Sequence, residues 1–247
     1  MCGYSVFSNY YDVLTCNINY LRQYSYYSDL LSKSEHKPGL LLDLACGTGS
    51  LSFEFAKNGV NVIALDSSVD MLSIAKQKSI ENGLNVFFVC QEMQSFYLHE
   101  NVDTIICSLD SINHLNSIND VESTFKHCYN ALNKNGLLVF DVNTIYKHKK
   151  ILANNTFVYD LDDVYCVWKN FFNEFDNRVD IVLDFFKRKE NLYYRETESF
   201  SETAYKIEDL KNILNGINLN VLNIYNYMTF ENYSEENEKV VFVCRKV

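Results

Sequence analysis

Leu40-Leu41-Leu42-Asp43-Leu44-Ala45-Cys46-Gly47-Thr48-Gly49 is followed by a helical stretch and then by Val62-Ile63-Ala64-Leu65-Asp66. The leading apolar run reads as a parallel strand buried on both faces. The small residues after it make a turn where backbone can come close to a ligand. The next helix opens with free N–H groups aimed at that ligand. The second apolar run ends in an acid, Asp66, about where a ribose would present its hydroxyls. Together these features describe an adenosine-containing cofactor lying across the C-terminal ends of a parallel sheet.

The same rhythm extends outward. Apolar spacing and turn signals predict strands over 40–44, 61–66, 86–90, 102–108 and 136–142, with helices over 50–58, 68–82 and 120–133 between them. Strands alternating with helices in this way make an α/β, doubly wound parallel sheet. Asn58-Gly59, Asn82-Gly83, Asn135-Gly136 and Asn215-Gly216 read as helix stops, because Asn and Gly tolerate the left-handed backbone that closes a helix. Ser67 or Ser68 and Asn119 or Asp120 are the expected N-caps.

From 143 to 204 the alternation gives way to β-branched and aromatic runs separated by Asp176-Asn177 and Glu190-Asn191, which predicts an inserted antiparallel sheet. A helix over about 206–215 then resumes the main fold. Two strands follow, Leu219 to Met228 and Lys239 to Arg245, with too little chain between them for a crossover helix; they should pair antiparallel. The tyrosine-rich N-terminal stretch is helical in pattern. The expected division is a helical cover over 1–35, a cofactor-binding core over 36–142, an inserted substrate lid over 143–204 and the rest of the core over 205–247.

Composition narrows the function classes. The chain has 247 residues, 47% of them hydrophobic and 15% aromatic, enough for a substantial core. A net charge of −10 disfavours a protein built to grip a phosphate backbone. No apolar run is long enough to span a bilayer, and Met1-Cys2-Gly3-Tyr4-Ser5 does not resemble a signal segment, so a cytoplasmic location is expected. The eight cysteines form no Cys-x-x-Cys pair and lie at no metal-ligand spacing; they read as small buried hydrophobes, and no metal site is expected.

The run Asp43-Leu44-Ala45-Cys46-Gly47-Thr48-Gly49 matches the first motif of class I S-adenosylmethionine-dependent methyltransferases, and the terminal antiparallel strand pair resembles that family's Rossmann-like seven-stranded sheet. Phe7-x-x-Tyr10-Tyr11-Asp12 and the β-rich insertion are similar to a bacterial subgroup acting on small molecules, aminosugar N-methyltransferases among them. The competing cofactor, a dinucleotide, would want a third glycine where this chain has Ser52. An ammonium and a sulfonium also suit Asp43, where a pyrophosphate would be repelled.

The resemblance implies S-adenosylmethionine as cofactor and S-adenosylhomocysteine as product. It places Asp43 near the methionine end and Ala45, Gly47 and Gly49 against the cofactor, with Ala45 standing where the family's first glycine falls. Asp66 would hold the ribose, Ser67 and Met71 would flank ribose and adenine, and Glu92 and Met93 would meet the adenine ring. Ser108-Leu109-Asp110-Ser111-Ile112-Asn113-His114 follows the fourth strand, at the sheet's switch point. Leu109 there would touch the cofactor, and Asp110 or His114 would take a proton from the acceptor or orient it. Tyr11 and Asp12 are further candidates, whereas Tyr10, Tyr24, Tyr26 and Tyr27 read mainly as packing.

The implied reaction moves a methyl group to N or O of a small molecule, with the enzyme as monomer or homodimer. Two alternatives stay open on sequence alone. An RNA methyltransferase would use Lys147-His148-Lys149-Lys150 with Lys187-Arg188-Lys189 as its basic strip, and a non-catalytic S-adenosylmethionine-binding domain would need no acceptor.

Overall fold

A computed structural model describes residues 7–161 and 163–247. Cys2 and the first residues of the expected cover lie outside the described residues. Two helices lead, α1 (Phe7–Leu14) and α2 (Tyr20–Lys33). Next come β1 (Leu40–Leu44), α3 (Ser50–Lys57), β2 (Asn61–Asp66), α4 (Val69–Glu81), β3 (Val86–Cys90) and β4 (Val102–Cys107). After a 3-10 turn at Ser111–His114, α5 (Ile118–Ala131) leads into β5 (Leu132–Asn143).

A π-helical turn, Lys147–Leu152, opens the insertion. The insertion is a four-stranded antiparallel sheet of β6 (Thr156–Asp160), β7 (Val164–Asn173), β8 (Arg178–Lys189) and β9 (Leu192–Thr203). The chain closes with α6 (Ile207–Gly216), β10 (Leu219–Asn226) and β11 (Lys239–Lys246).

The main sheet has seven strands in the order β10-β11-β5-β4-β1-β2-β3. β1 pairs parallel with both β2 and β4, while β11 runs antiparallel to β5 and β10. Strand order reverses between β1 and β4, so their C-terminal ends open a crevice there.

Alternate side chains of each strand feed opposite layers. Leu42, Leu44, Ile105 and Phe140 face α5 and α6 through Phe125, Cys128, Leu210 and Leu214. Leu41, Ile106, Val139 and Val241 face α2 and α3 through Tyr27, Leu30, Leu31 and Phe55. A third cluster joins Phe7, Tyr10 and Leu14 of α1 to Val179, Ile181, Leu183 and Phe185 of the insertion. The two N-terminal helices therefore differ: α2 packs on a face of the main sheet, and α1 bridges to the inserted one.

Several local details depart from the sequence reading. Asn58 and Asn82 close α3 and α4 as expected, with Gly59 and Gly83 at positive φ. Asn135-Gly136 instead lies inside β5, past the end of α5; a Cβ on Gly136 would fall 2.9 Å from the carbonyls of Asn133 and Asp103. Close backbone approach requires this glycine, not a helix stop. Asn215-Gly216 lies within the last turn of α6, and Asn218 takes the left-handed turn.

Ser68 caps α4 as one of its two candidates, but α5 is capped by Ser117 rather than Asn119 or Asp120. The Ser117 hydroxyl also donates to Asp120 at 2.7 Å, which starts the helix two residues earlier than expected. Cys107, Cys128, Cys166 and Cys244 are buried, whereas Cys16 and Cys90 are exposed and Cys46 is half-buried. Among the described residues no helix is long and apolar enough to cross a membrane.

Candidate functional site

The crevice holds a cavity of about 500 Å³. Its floor comes from the turns after β1 and β2, with Ala45, Gly47, Asp66 and Ser67, and its flank from Met71 of α4. Gln91, Glu92 and Met93 after β3 close one side; Leu109, Ser111 and His114 after β4 close the other. Phe7 and Tyr11 of α1, with Ser199, Phe200 and Ser201 of β9, form the remaining wall. Sequence reasoning missed those β9 residues, since nothing in an alternating strand marks which of its faces looks into a cavity.

The turn after β1 is held from two directions, by the end of β2 and by α1. The Gly47 amide donates to Asp66 Oδ2 at 2.8 Å, and the Ser68 amide donates to Asp66 Oδ1 at 2.8 Å. The Ser67 amide is a further donor to the same carboxylate, which keeps room for one more. Burial pushes the Asp66 carboxyl above its ordinary range, and these amides oppose the rise. The Thr48 hydroxyl donates to Asp12 Oδ1 at 2.7 Å, while Asp12 Oδ2 pairs with Lys78 at 2.9 Å, so Asp12 ties α1 to both the turn and α4.

Ala45 has φ +62°, in the region that favours glycine. Gly49 has φ +80°, and a Cβ there would lie 2.9 Å from the Phe53 ring. Gly49 does not line the cavity; its absent side chain lets α3 pack tightly behind it.

Asp43 also stays behind the cavity wall. It is only 2% exposed and accepts a 2.5 Å hydrogen bond from the Ser52 hydroxyl. Burial raises its carboxyl to about 6, the Ser52 hydroxyl works against the rise, and the nearby Asp66 adds to it.

Past β4 the chain makes an unusual bend: Leu109 and Asp110 have φ of +56° and +54° in succession. Two non-glycine residues in that region are strained, and something must hold them. That partner is Asp141 of β5, fully buried. Its Oδ2 accepts the Leu109 amide at 2.9 Å, and its Oδ1 accepts the Asp110 amide at 2.7 Å. The Tyr27 hydroxyl donates to Oδ2 at 2.8 Å, and the Lys239 ammonium lies 3.2 Å from Oδ1.

Lys239 also pairs with Asp110 at 2.6 Å. Burial alone would push Asp110 up, but Lys239, Lys147 and His114 outweigh it and hold the carboxyl well below the usual range. Burial likewise disfavours the charge on Lys239, yet Asp110 and Asp141 keep it protonated. The sequence did carry a signal for Asp141: an acid in the otherwise apolar run Leu137-Leu138-Val139-Phe140-Asp141-Val142.

Of the sequence candidates, Ala45, Gly47, Asp66, Ser67, Met71, Glu92, Met93, Leu109, Tyr11 and His114 line the cavity; Asp43, Gly49 and Asp110 do not. Burial raises the Tyr11 hydroxyl well above its ordinary range. His114 Nε2 lies 4.0 Å from Glu202 Oε1 of β9, and its ring packs 5.4 Å from Phe200. Asp110, His114 and Glu202 bring their ligand atoms within 4.8 Å of one another. The Lys239 ammonium on Asp110 already supplies the positive charge that a metal ion would bring to this cluster.

Comparison with known proteins agrees with this architecture. A methyltransferase domain model matches residues 41–136, the segment that carries β1 to β4 and α5. A methyltransferase-family protein of Geobacillus sp. (strain WCH70) is 32% identical over 207 residues, covering 83% of this chain and 84% of its own length. The crystal structure of an S-adenosylmethionine-dependent methyltransferase from Clostridium acetobutylicum ATCC 824 superposes with a TM-score of 0.88 at 30% identity, covering 96% of each chain. The S-adenosylmethionine-bound amino pentose methyltransferase CalS10 from Micromonospora echinaspora shares the fold, with a TM-score of 0.76 at 14% identity over 93% of this chain and 92% of its own. With the doubly wound sheet, its antiparallel β11 and the crevice between β1 and β4, these matches establish that the chain is a class I S-adenosylmethionine-dependent methyltransferase, an enzyme that takes S-adenosylmethionine as cofactor and releases S-adenosylhomocysteine.

Proposed function

We propose that this enzyme methylates nitrogen or oxygen of a small molecule, with residues 143–204 as the lid over the site. The carrying observation is the fate of the basic run that an RNA substrate would need. Lys147 turns inward onto Asn143 Oδ1 at 2.9 Å, His148 is fully buried, and Lys149 pairs with Glu174. Lys147 and His148 cannot track a phosphate backbone, whereas Lys149, Lys150, Lys187, Arg188 and Lys189 of the expected strip stay exposed. The 500 Å³ cavity is of the size that takes small ligands. The amino pentose methyltransferase that shares the fold supports the same reading.

In this reading Asp66 accepts a ribose hydroxyl on its remaining lone pair, and Gly47 and Ala45 lie against the cofactor. Met71 and Met93 flank the adenine, Glu92 faces its amino group, and Leu109 packs near the sulfonium. Asp43 and Gly49 act from behind the wall, one through its charge and the other by shaping the turn. The cofactor supplies a methyl group on an already activated sulfonium. The acceptor's lone pair forms the new bond as the carbon–sulfur bond breaks, and that electron pair stays on sulfur.

The protein's main contribution is then alignment in a dry cavity, an effect worth on the order of 7–11 kcal/mol. A neutral amine acceptor sheds its proton to solvent after transfer. A hydroxyl acceptor would give its proton to His114, which faces the cavity; Asp110, tied to Lys239, is a positioning residue, and Tyr11 closes the wall.

The test incubates the enzyme and methyl-labelled S-adenosylmethionine with a small-molecule extract, with tRNA and with total protein in parallel. Label is expected in the small-molecule fraction. Label in acid-precipitable RNA or protein would overturn the reading.

A further inference from the structure

Glu202, near the end of β9, is 4% exposed, and among the described residues no lysine or arginine pairs with it. A buried carboxylate is costly unless its oxygens find donors or positive charge. Oε2 has two neighbours: the Asn143 amide of β5 donates to it at 3.0 Å, and His148 Nε2 lies 3.5 Å away. His148 is fully buried, and its Nδ1 lies 3.0 Å from the Asn177 carbonyl. A carbonyl only accepts, so Nδ1 carries a proton and donates it there. His148 Nε2 has no hydrogen-bond partner and faces the carboxylate. Two bare acceptors facing each other in a buried place would repel, so this ring and Oε2 hold one proton between them.

Oε1 serves the other side, where His114 Nε2 lies 4.0 Å away. That is ion-pair distance, and catalytic hydrogen bonds are often this loose before the reactants bind. His114 lines the cavity, and its ring packs 5.4 Å from Phe200. Phe200 and Glu202 stand two apart on β9, hence on one face of the strand, and both meet the same imidazole. Asn113 fixes their approach. Its amide donates to the carbonyls of Asn143 and Thr203 at 3.1 and 3.0 Å, which pins the turn carrying His114 to β5 and to the end of β9. Two other carboxylates, Asp66 and Asp110, also act on His114. Backbone amides engage the first and Lys239 the second, so Glu202 Oε1 is the one left to the imidazole.

We infer that Glu202 is a positioning residue for methyl transfer: its Oε1 takes the Nε2–H of His114 and leaves Nδ1 to accept the proton of the methyl acceptor. The hydrogen bond on one ring nitrogen sets the role of the other. The acceptor is then one that must lose a proton before it attacks, a hydroxyl or an ammonium. Its O–H or N–H bond breaks onto Nδ1, and the freed electron pair takes the methyl group from sulfur. The Glu202 carboxylate balances the imidazolium until the proton leaves to solvent. The core supplies the imidazole and the insertion supplies the carboxylate, so the pair is complete only with the insertion docked. This rests on the small-molecule reading above and deepens it.

Two measurements test the inference. First, proton NMR is recorded on enzyme with isotope-labelled histidine, loaded with S-adenosylhomocysteine. An imidazole N–H held by a carboxylate exchanges slowly with water and resonates far downfield. Wild type should show such a signal, lost in His114→Gln and lost or moved upfield in Glu202→Gln. A wild type without a downfield N–H from His114 overturns the pair, whether or not the Glu202 variant folds.

Second, the rate of label transfer from S-adenosylmethionine to the small-molecule extract is compared in wild type and Glu202→Gln, which keeps the volume and removes the charge. The rate should fall at least tenfold while S-adenosylhomocysteine affinity stays within twofold. An unchanged rate overturns the inference. So does a rate that falls only in step with cofactor affinity, since Glu202 would then merely hold the fold. Label only in RNA or protein overturns the small-molecule reading and the acceptor class with it, while the NMR signal still decides the pairing of Glu202 with His114.

Discussion

Asp43 gains a pH dependence from its surroundings. Buried and hydrogen-bonded to the Ser52 hydroxyl, it has its carboxyl raised to about 6 from an ordinary 3.8. In the free protein its contribution to stability is fully present below 3.8 and is lost as pH rises through 6, because the folded state prefers the protonated form. A cofactor bearing an ammonium and a sulfonium prefers the ionised form, so the two effects oppose each other. Between pH 5 and pH 7 the ionised fraction rises from about one-tenth to about nine-tenths, and S-adenosylmethionine affinity should rise about tenfold with it. Calorimetry across that range on wild type and Asp43→Asn checks this; the variant should lose most of the slope. Asp66 gives a simpler expectation. Its carboxylate holds Gly47 and Ser68 in place and lines the cavity, so Asp66→Ala should weaken cofactor binding by roughly 10- to 100-fold, the scale of one or two hydrogen bonds to a charged group. Titration with S-adenosylhomocysteine reads it directly, and unchanged affinity would remove Asp66 from the site. Both acids were legible in the sequence because each ends or nearly ends an apolar strand, where a charge needs a reason.

The bend between β4 and the following 3-10 turn depends on another element for its shape. Leu109 and Asp110 both take positive φ, and the two oxygens of Asp141 on neighbouring β5 accept both amides. Asp141→Asn keeps the volume but removes half the charge that neutralises the buried Lys239, and one amide loses its acceptor. Breaking a buried ion pair of this kind costs about 3–5 kcal/mol. In a chain of this length that corresponds to a Tm fall of roughly 6–20 °C, measurable by calorimetry. The transfer rate should fall further than cofactor affinity, because the bend carries Leu109 and leads into Ser111 and His114, which line the cavity. At this scale the sequence was readable where the signal is local. Asn58-Gly59 and Asn82-Gly83 close their helices by their own backbone preference. Asn135-Gly136 has the same signature but answers to a tertiary contact, the carbonyl of Asp103, which no local pattern can announce. The partner of the 109–110 bend was hidden for the same reason: it lies 31 residues further along the chain.

Taken as a whole, the molecule joins its two sheets around one ligand-sized space. α1 packs on the insertion through Tyr10 stacked 4.7 Å from Phe185, yet it is also bound to the cofactor turn through Asp12 and Thr48. β9 contributes Ser199, Phe200 and Ser201 to the cavity and brings Glu202 to His114. The seven-stranded topology was legible because its alternation of strand and helix permits few arrangements. The cavity's far wall was not, since it depends on how an antiparallel insertion docks. A ligand that fills the space touches both sheets and should stabilise them together. At a hundredfold excess over its Kd, S-adenosylhomocysteine should add about 2.7 kcal/mol, a Tm rise of roughly 5–11 °C in a protein of this length. NAD at the same concentration should leave Tm unchanged, since its pyrophosphate would face the carboxylate of Asp66 at the floor of the crevice, with Asp43 behind it. Differential scanning fluorimetry with the two ligands side by side decides the matter. An equal rise with NAD would mean that the two acids do not set the charge of this site. If the rise with S-adenosylhomocysteine appears in only one of two separate melting transitions, the insertion is not coupled to the core in the way that the shared wall requires.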